Sequence, residues 1–181
     1  DDKRPVFQFL YGISQAQKPV VAAVAGPAVG IGTTMLLHCD LVYAAPNARL
    51  QLPFVNLGLV PEAASSLLLP ALIGYQRAAE LLLLGEPFSA QKAKEIGLVT
   101  EVVPADQLFD TAMAQAKKLA SKPAASLRLT KRLMKQGQMA AVERQIKLES
   151  DHFGERLGSP EAKEAFSAFL EKRKPDFSKF D

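Results

Sequence analysis

The sequence has no tryptophan, one cysteine and two histidines in 181 residues. A single thiol, Cys39, cannot close a disulfide within the chain. Nothing therefore calls for an oxidising compartment, and a cytoplasmic location is expected. His38, His152 and Cys39 form no ligand cluster of recognisable spacing, so no metal is expected. A charge excess is missing too. Lys and Arg number 22 against 19 acids, a net +3 that is too small to imply a nucleic-acid partner. The longest apolar stretch, VVAAVAGPAVGIG, is broken by Gly26, Pro27, Gly30 and Gly32, so no membrane span is expected. The opening DDKRPVFQFL has neither an initiator Met nor the shape of a signal peptide, and the chain is expected to start inside a longer one.

What is present is enough apolar sequence, 48%, to fill one domain's core. The order of patterns reads as α/β. PVVAAVAG (19–26) is Val-rich and apolar on both sides, which predicts a strand buried on both faces. A Gly/Pro turn leads into GTTMLLHC (32–39), a buried helix, and DLVYAA (40–45) and ARLQL (48–52) predict further strands. Pro61 opens a helix that stops near Pro70, and GYQRAAELLLLG (74–85) gives another with Gly85 as its C-cap. Ser89 caps a helix through AQKAKEI, closed by Gly97, and LVTEVV (98–103) returns as a strand. These patterns divide the chain into a core, 1–103, and an all-helical region, 104–181. In DQLFDTAMAQAKKLA, Phe109, Ala112, Met113, Ala116 and Ala120 share one face. Helices over about 124–136 and 139–156 follow, and Ser159-Pro160 starts the last. This region is short and rich in Ala and Leu, so it is expected to pack on something else, such as another subunit.

Several motifs fail on inspection. Gly30-Ile31-Gly32 would need a third glycine at the position of Met35 to bind a dinucleotide, and no Gly-Lys-Ser/Thr forms a P-loop. His38-Cys39-Asp40 reads as a packed histidine and a small buried thiol, and Ser65 and Ser66 lack a nucleophile-elbow context. Between 111 and 142 stand Lys117, Lys118, Lys122, Arg128, Lys131, Arg132 and Lys135 with no acid. A solvated helix face is the default, with an anionic ligand such as a phosphorylated cofactor as the alternative.

Two features remain. The glycine turn before residue 32 offers unsatisfied backbone N–H groups, and Gly30 and Gly32 let a ligand approach them. LGLVPEAASSLLLP (57–70) carries one ionisable group, Glu62, among apolar neighbours. It is either a helix-start acid beside Pro61 that complements the dipole, or a desolvated base. A donor turn and a lone carboxyl together suit proton abstraction next to a carbonyl, with the turn stabilising the enolate.

The segments KPVVAAVAGPAVGIGTTMLLHCDLVYAAPNARLQLPFVNLGLVPEAASSLLLPALIG and LLLLGEPFSAQKAKEIGLVTEVVP closely resemble the crotonase (enoyl-CoA hydratase/isomerase) superfamily. The resemblance runs from about 18 to 104 and continues more loosely through the C-terminal helices. It implies a crotonase-like ββα spiral core, a helical C-terminal trimerisation region, and acyl-CoA thioester substrates. A homotrimer or dimer of trimers follows from it, as does an oxyanion hole with one donor on the N–H of Ile31. Hydratases of the family carry two glutamates whose positions fall here on Thr34 and Phe54, so hydration loses both acid/base groups. LPFVNLGLVPEAASS instead resembles the peroxisomal-type Δ3,Δ2-enoyl-CoA isomerases, whose catalytic acid carries over onto Glu62.

The resemblance thus implies Glu62 and Ile31 as catalytic groups and Gly30, Gly32, Phe54 and Leu59 as substrate-binding ones. No metal or redox cofactor is expected, because CoA is part of the substrate. Two other readings stand beside it. One is a non-catalytic acyl-CoA-binding or protein-interaction module. The other is a different crotonase reaction, such as hydration, thioester hydrolysis or dehalogenation, for which the matching loops lack a second acid. Members of the family have several strands before the KPVVAAV strand, which supply the other oxyanion donor and much of the CoA site. The isolated 181-residue chain is therefore expected to be poorly soluble or inactive, and restoration of an upstream segment to rescue it. Full turnover by the isolated chain would refute this.

Overall fold

The structure, a computed structural model, describes residues 5–180. Helix α1 (Pro5–Ser14) comes first, followed by strands β1 (Val21–Val24) and β2 (Pro27–Val29). Helix α2 (Ile31–Thr34) tightens into a 3₁₀ turn, Met35–His38, before β3 (Leu41–Ala44) and β4 (Arg49–Gln51). β1 pairs in parallel with β3, Val21 opposite Leu41, and β2 pairs in parallel with β4, Ala28 opposite Leu50. Each pair of consecutive strands therefore sends one strand to each of two sheets. Parallel partners need a crossover, and α2 with its 3₁₀ extension supplies it. A short β5 (Phe88–Ser89) adds to β4 antiparallel, and β6 (Glu101–Val102) adds to β3 in parallel.

The strand expected to be buried on both faces is half-exposed along β1, with Ala23 open. Among the described residues it pairs only with β3, so it lies at a sheet edge. The strand expected over LVTEVV shortens to the two residues of β6.

A larger departure concerns the helix expected from Pro61. Helix α3 runs Ser65–Ile73, starting four residues later and passing through Pro70. Ala63 and Ala64 adopt left-handed φ values of 61° and 57°, which no α-helix allows, so the helix cannot begin before them. Helix α4 (Tyr75–Ala79) widens into a π turn, Glu80–Leu84, that ends on left-handed Gly85. Ser89 caps α5 (Ala90–Glu95), its hydroxyl accepting the Lys92 N–H at 3.1 Å.

Helices α6 (Leu108–Ala120), α7 (Ala124–Lys135), α8 (Met139–Leu157) and α9 (Pro160–Leu170) complete the chain. Three of them bury apolar residues against the rest of the chain. Leu108 and Ala112 of α6 bury against Tyr43 and Ala45. Val142 and Ile146 of α8 cluster with Leu10, Ala63 and Ala64, and Ala162 of α9 joins the main core. The inward face of α6 is thus turned by one position from the expected one, and Phe109 and Met113 point outward. Lys131 also leaves the solvated face. It is buried, bonds Asp40 Oδ2 and the Lys18 carbonyl at 2.7 Å each, and ties α7 to the start of β3. Lys135 donates to the Ser14 carbonyl. Arg128 and Arg132 line an open cleft of about 580 Å³ beside α1.

One glycine controls how α9 seats. Gly58 has φ 68°, and a Cβ there would stand 2.7 Å from the Ala162 nitrogen and 2.9 Å from the Glu161 carbonyl carbon. Both contacts are backbone, which cannot swing aside. Gly58→Ala is expected to lower unfolding free energy by about 2 kcal/mol or more, from left-handed strain plus overpacking. Urea titration checks this against Gly12→Ala, where an added Cβ meets nothing within 4 Å.

Candidate active site

The site begins with Gly30. Its φ of 57° and ψ of −117° fall where only glycine is comfortable, and its N–H bonds the Gln51 carbonyl at 3.0 Å. Its carbonyl accepts the N–H groups of Thr33 and Thr34, both at 2.9 Å, which turns the chain into α2. Thr33 fastens this turn to both neighbouring strands, donating to the Ala28 carbonyl and accepting the Gln51 N–H. Ile31 is the first helical residue, so its N–H has no acceptor within the helix and remains a donor for something else.

Thr34 follows Ile31 by three residues, about 4.5 Å along a helix axis. Its side chain is fully buried, and Oγ1 donates to Glu62 Oε1 at 2.6 Å. Glu62 is itself only 9% exposed. Burial pushes its pKa up from the ordinary glutamate value. The Thr34 hydrogen bond opposes that rise, and the nearby Glu149 charge adds to it.

Glu62 belongs to a turn before α3 rather than to a helix. The reading of Glu62 as a helix-start acid is therefore corrected: its carboxyl is tied to Thr34. The acid that does serve the start of α3 is Glu149, from α8. Glu149 Oε2 accepts the Ala64 N–H at 2.6 Å, and Oε1 accepts the Ser66 N–H at 3.0 Å and the Ser66 hydroxyl. Gln145 donates to the same hydroxyl at 2.8 Å. His38 donates from Nε2 to the Ala63 carbonyl at 2.7 Å, a bond that fixes the proton on that nitrogen because a carbonyl only accepts. Burial lowers the His38 pKa and keeps the ring neutral. Ser65 closes the turn, its N–H and hydroxyl both donating to the Glu62 carbonyl.

The structure brings the other expected site residues into the same region. Phe54 Cε1 lies 4.0 Å from where a Cβ on Gly30 would stand, and the Leu59 N–H bonds the Phe54 carbonyl at 2.8 Å. Both side chains are buried in the main core. A Cβ on Gly32 would meet only Ala28 at 3.8 Å, an ordinary contact, so packing alone does not require that glycine.

Two residues of the site were not anticipated as participants. Thr34 registered only as the lack of a glutamate. Glu149 carried a legible signal, since it falls in the stripe Val142, Ile146, Glu149, Phe153, where an acid breaks an otherwise apolar helical face. Among the described residues no cluster of His, Cys, Asp or Glu could hold a metal ion, and no helix is long and apolar enough to cross a membrane.

The enoyl-CoA hydratase/isomerase family profile matches residues 2–179. A Bacillus subtilis protein named "Probable enoyl-CoA hydratase" is 37% identical over 94% of this chain and 66% of its own. The 1,2-epoxyphenylacetyl-CoA isomerase of Escherichia coli is 39% identical over 92% of this chain and 63% of its own. The chain thus spans about two thirds of the length of these curated relatives, or slightly less. The crystal structure of an enoyl-CoA hydratase/isomerase from Pseudoalteromonas atlantica superposes with a TM-score of 0.92 at 46% identity, covering 96% of this chain and 70% of that one. With the two-sheet core, the glycine turn and these matches in agreement, the chain belongs to the crotonase, or enoyl-CoA hydratase/isomerase, family.

Proposed function

We propose that the complete protein is an enoyl-CoA isomerase that moves a 3-enoyl-CoA double bond to the 2-trans position, with Glu62 as the proton carrier. The observation that carries this reading is the Thr34–Glu62 hydrogen bond. It ties a buried carboxyl to Thr34, one helical turn after Ile31, whose N–H has no acceptor within the helix. The thioester oxygen of the substrate sits on that N–H and on a second donor. Glu62 takes a proton from C2, and the electron pair of the broken C–H bond passes into the enolate, spread over the C3–C4 double bond. Protonated Glu62 then delivers the proton at C4, leaving the double bond between C2 and C3. Each oxyanion donor is worth about 3 to 4 kcal/mol in such a transition state. A base with a raised pKa suits the step, because it holds the proton firmly between removal and return.

Hydration is supported by the names of several relatives, but it asks for a second acid/base group. Thr34 and Phe54 occupy the positions where the resemblance would place such acids. Glu149, the carboxylate whose charge acts on Glu62, has both oxygens committed to the α3 turn. A non-catalytic acyl-CoA-binding module would have no use for a buried carboxyl with an uncommitted oxygen, whereas the equally buried Glu149 has both oxygens hydrogen-bonded.

Glu62→Gln in the complete protein is expected to lower turnover of a 3-enoyl-CoA by about 100-fold or more, with little change in substrate affinity. The stability effect has a definite sign. Because the folded-state pKa of Glu62 is raised, the native state keeps a proton that the unfolded chain has released. Native stability therefore falls as pH rises from the ordinary glutamate value through the raised one. Glutamine cannot ionise, so the variant should lose less stability over that window and melt at or above the wild-type temperature at neutral pH. Rate and melting temperature together decide the matter. A near-normal rate with a lower melting temperature overturns the assignment.

The assembly belongs to the same proposal. Phe109, Met113, Leu129, Phe166 and Phe169 are all exposed on the C-terminal helices. Burying them between subunits gives a homotrimer or a dimer of trimers. Light scattering on the complete protein at micromolar concentration checks this, and a monomer refutes it.

A further inference from the structure

We propose that Thr34 is a positioning residue for the proton transfer: its hydroxyl takes one oxygen of Glu62 out of the reaction and leaves the other to carry the proton in both directions. The inference rests on the reading of Glu62 as the base. Two adjacent threonines show the contrast. Thr33 spends its hydroxyl proton on the Ala28 carbonyl and serves the backbone, whereas Thr34 aims its proton at Glu62 Oε1. A threonine hydroxyl in a helix commonly bonds back to a carbonyl of the preceding turn. Thr34 forgoes that bond, and its complete burial leaves the hydroxyl no water to turn to.

The two carboxyl oxygens are therefore unequal. Oε1 is held, while among the described residues nothing hydrogen-bonds Oε2. Oε2 is not a sealed orphan either, because no buried side-chain oxygen in the described chain lacks a partner. It therefore keeps a narrow contact with the surroundings. In the reaction, Oε2 accepts the C2 proton as that C–H bond breaks, and gives the same proton to C4 as the new C–H bond forms. Oε1 accepts from Thr34 before, during and after, so the hydroxyl never has to reverse its role. A free carboxyl would have two equivalent oxygens and a rotating plane, and would lose alignment with one carbon while serving the other.

The remaining charged or titratable groups facing Glu62 act differently. Glu149, from α8, repels the carboxylate, and His38, from the turn after α2, is neutral and engaged with the Ala63 carbonyl. Thr34 is the donor that favours the ionised base.

The test uses the complete protein, a defined 3-enoyl-CoA such as 3-hexenoyl-CoA, and the variants Thr34→Val and Thr34→Ser. Valine keeps the shape and removes the hydroxyl. It is expected to lower kcat by about tenfold or more, the loss of one hydrogen bond to a charged group, with KM nearly unchanged. Because the ionised form loses its donor, the acidic limb of the rate profile should move to higher pH. Serine should restore both the rate and the position of the limb. Wild-type kcat and an unmoved limb in Thr34→Val overturn the proposal. If valine prevents folding, Thr34→Ala is read by the same criteria. Glu62→Gln separates this inference from the one beneath it. An active glutamine variant removes both, whereas an inactive one beside a normal Thr34→Val removes only the positioning role.

Discussion

The Glu62 site depends on two alanines in a conformation that alanine resists. Left-handed backbone at Ala63 and Ala64 costs roughly 1–2 kcal/mol for each residue, and each side chain returns only the burial of one methyl group. The strain is held by partners from distant parts of the chain: Glu149 on the Ala64 and Ser66 N–H groups, and His38 on the Ala63 carbonyl. What the strain obtains is direction. It delays α3 until Ser65 and turns the preceding side chain back toward α2, where Thr34 meets it. Strained backbone persists where the surroundings over-determine it, and such places cluster at functional sites.

Two buried carboxyls meet at this turn, one from the turn itself and one from α8, in different surroundings. Glu149 accepts three hydrogen bonds from the start of α3 and serves as scaffold. Glu62 accepts one from a side chain and keeps an oxygen uncommitted. Burial raises the pKa of both, and each additional donor draws it back toward the ordinary value. Environment rather than residue type thus sets the two carboxyls apart.

What could be read from the sequence was what short-range chemistry decides. Ser89 before a helix, Gly85 after one and Ser159-Pro160 at the last start are local signals, and the chain obeys them. Gly30, Ile31 and Glu62 could be named because they sit in motifs that resemble a family. The rest was set by partners far along the chain. Alanine carries no mark of positive φ, so Pro61 looked like a helix start, and only Glu149, 85 residues after Ala64, shows why it is not. The buried face of α6 could not be chosen by hydrophobicity, because Leu108 and Phe109 are neighbours of similar character. Lys131 looked solvated because its charge partner, Asp40, lies 91 residues away.

The wide spacing of the three groups that define the turn also has a consequence for synthesis. Thr34 and Glu62 leave the ribosome before Glu149, which follows 87 residues after Glu62. At ordinary translation speeds that interval is on the order of ten seconds. Throughout it, the N–H groups of Ala64 and Ser66 lack their carboxylate partner, and of the two groups that hold the left-handed alanines only His38 has been made. The sheets can form in that time from strands already made. The turn that holds Glu62 gains its Glu149 partner only when α8 arrives, so the nascent chain can form its sheets before this turn is fully held.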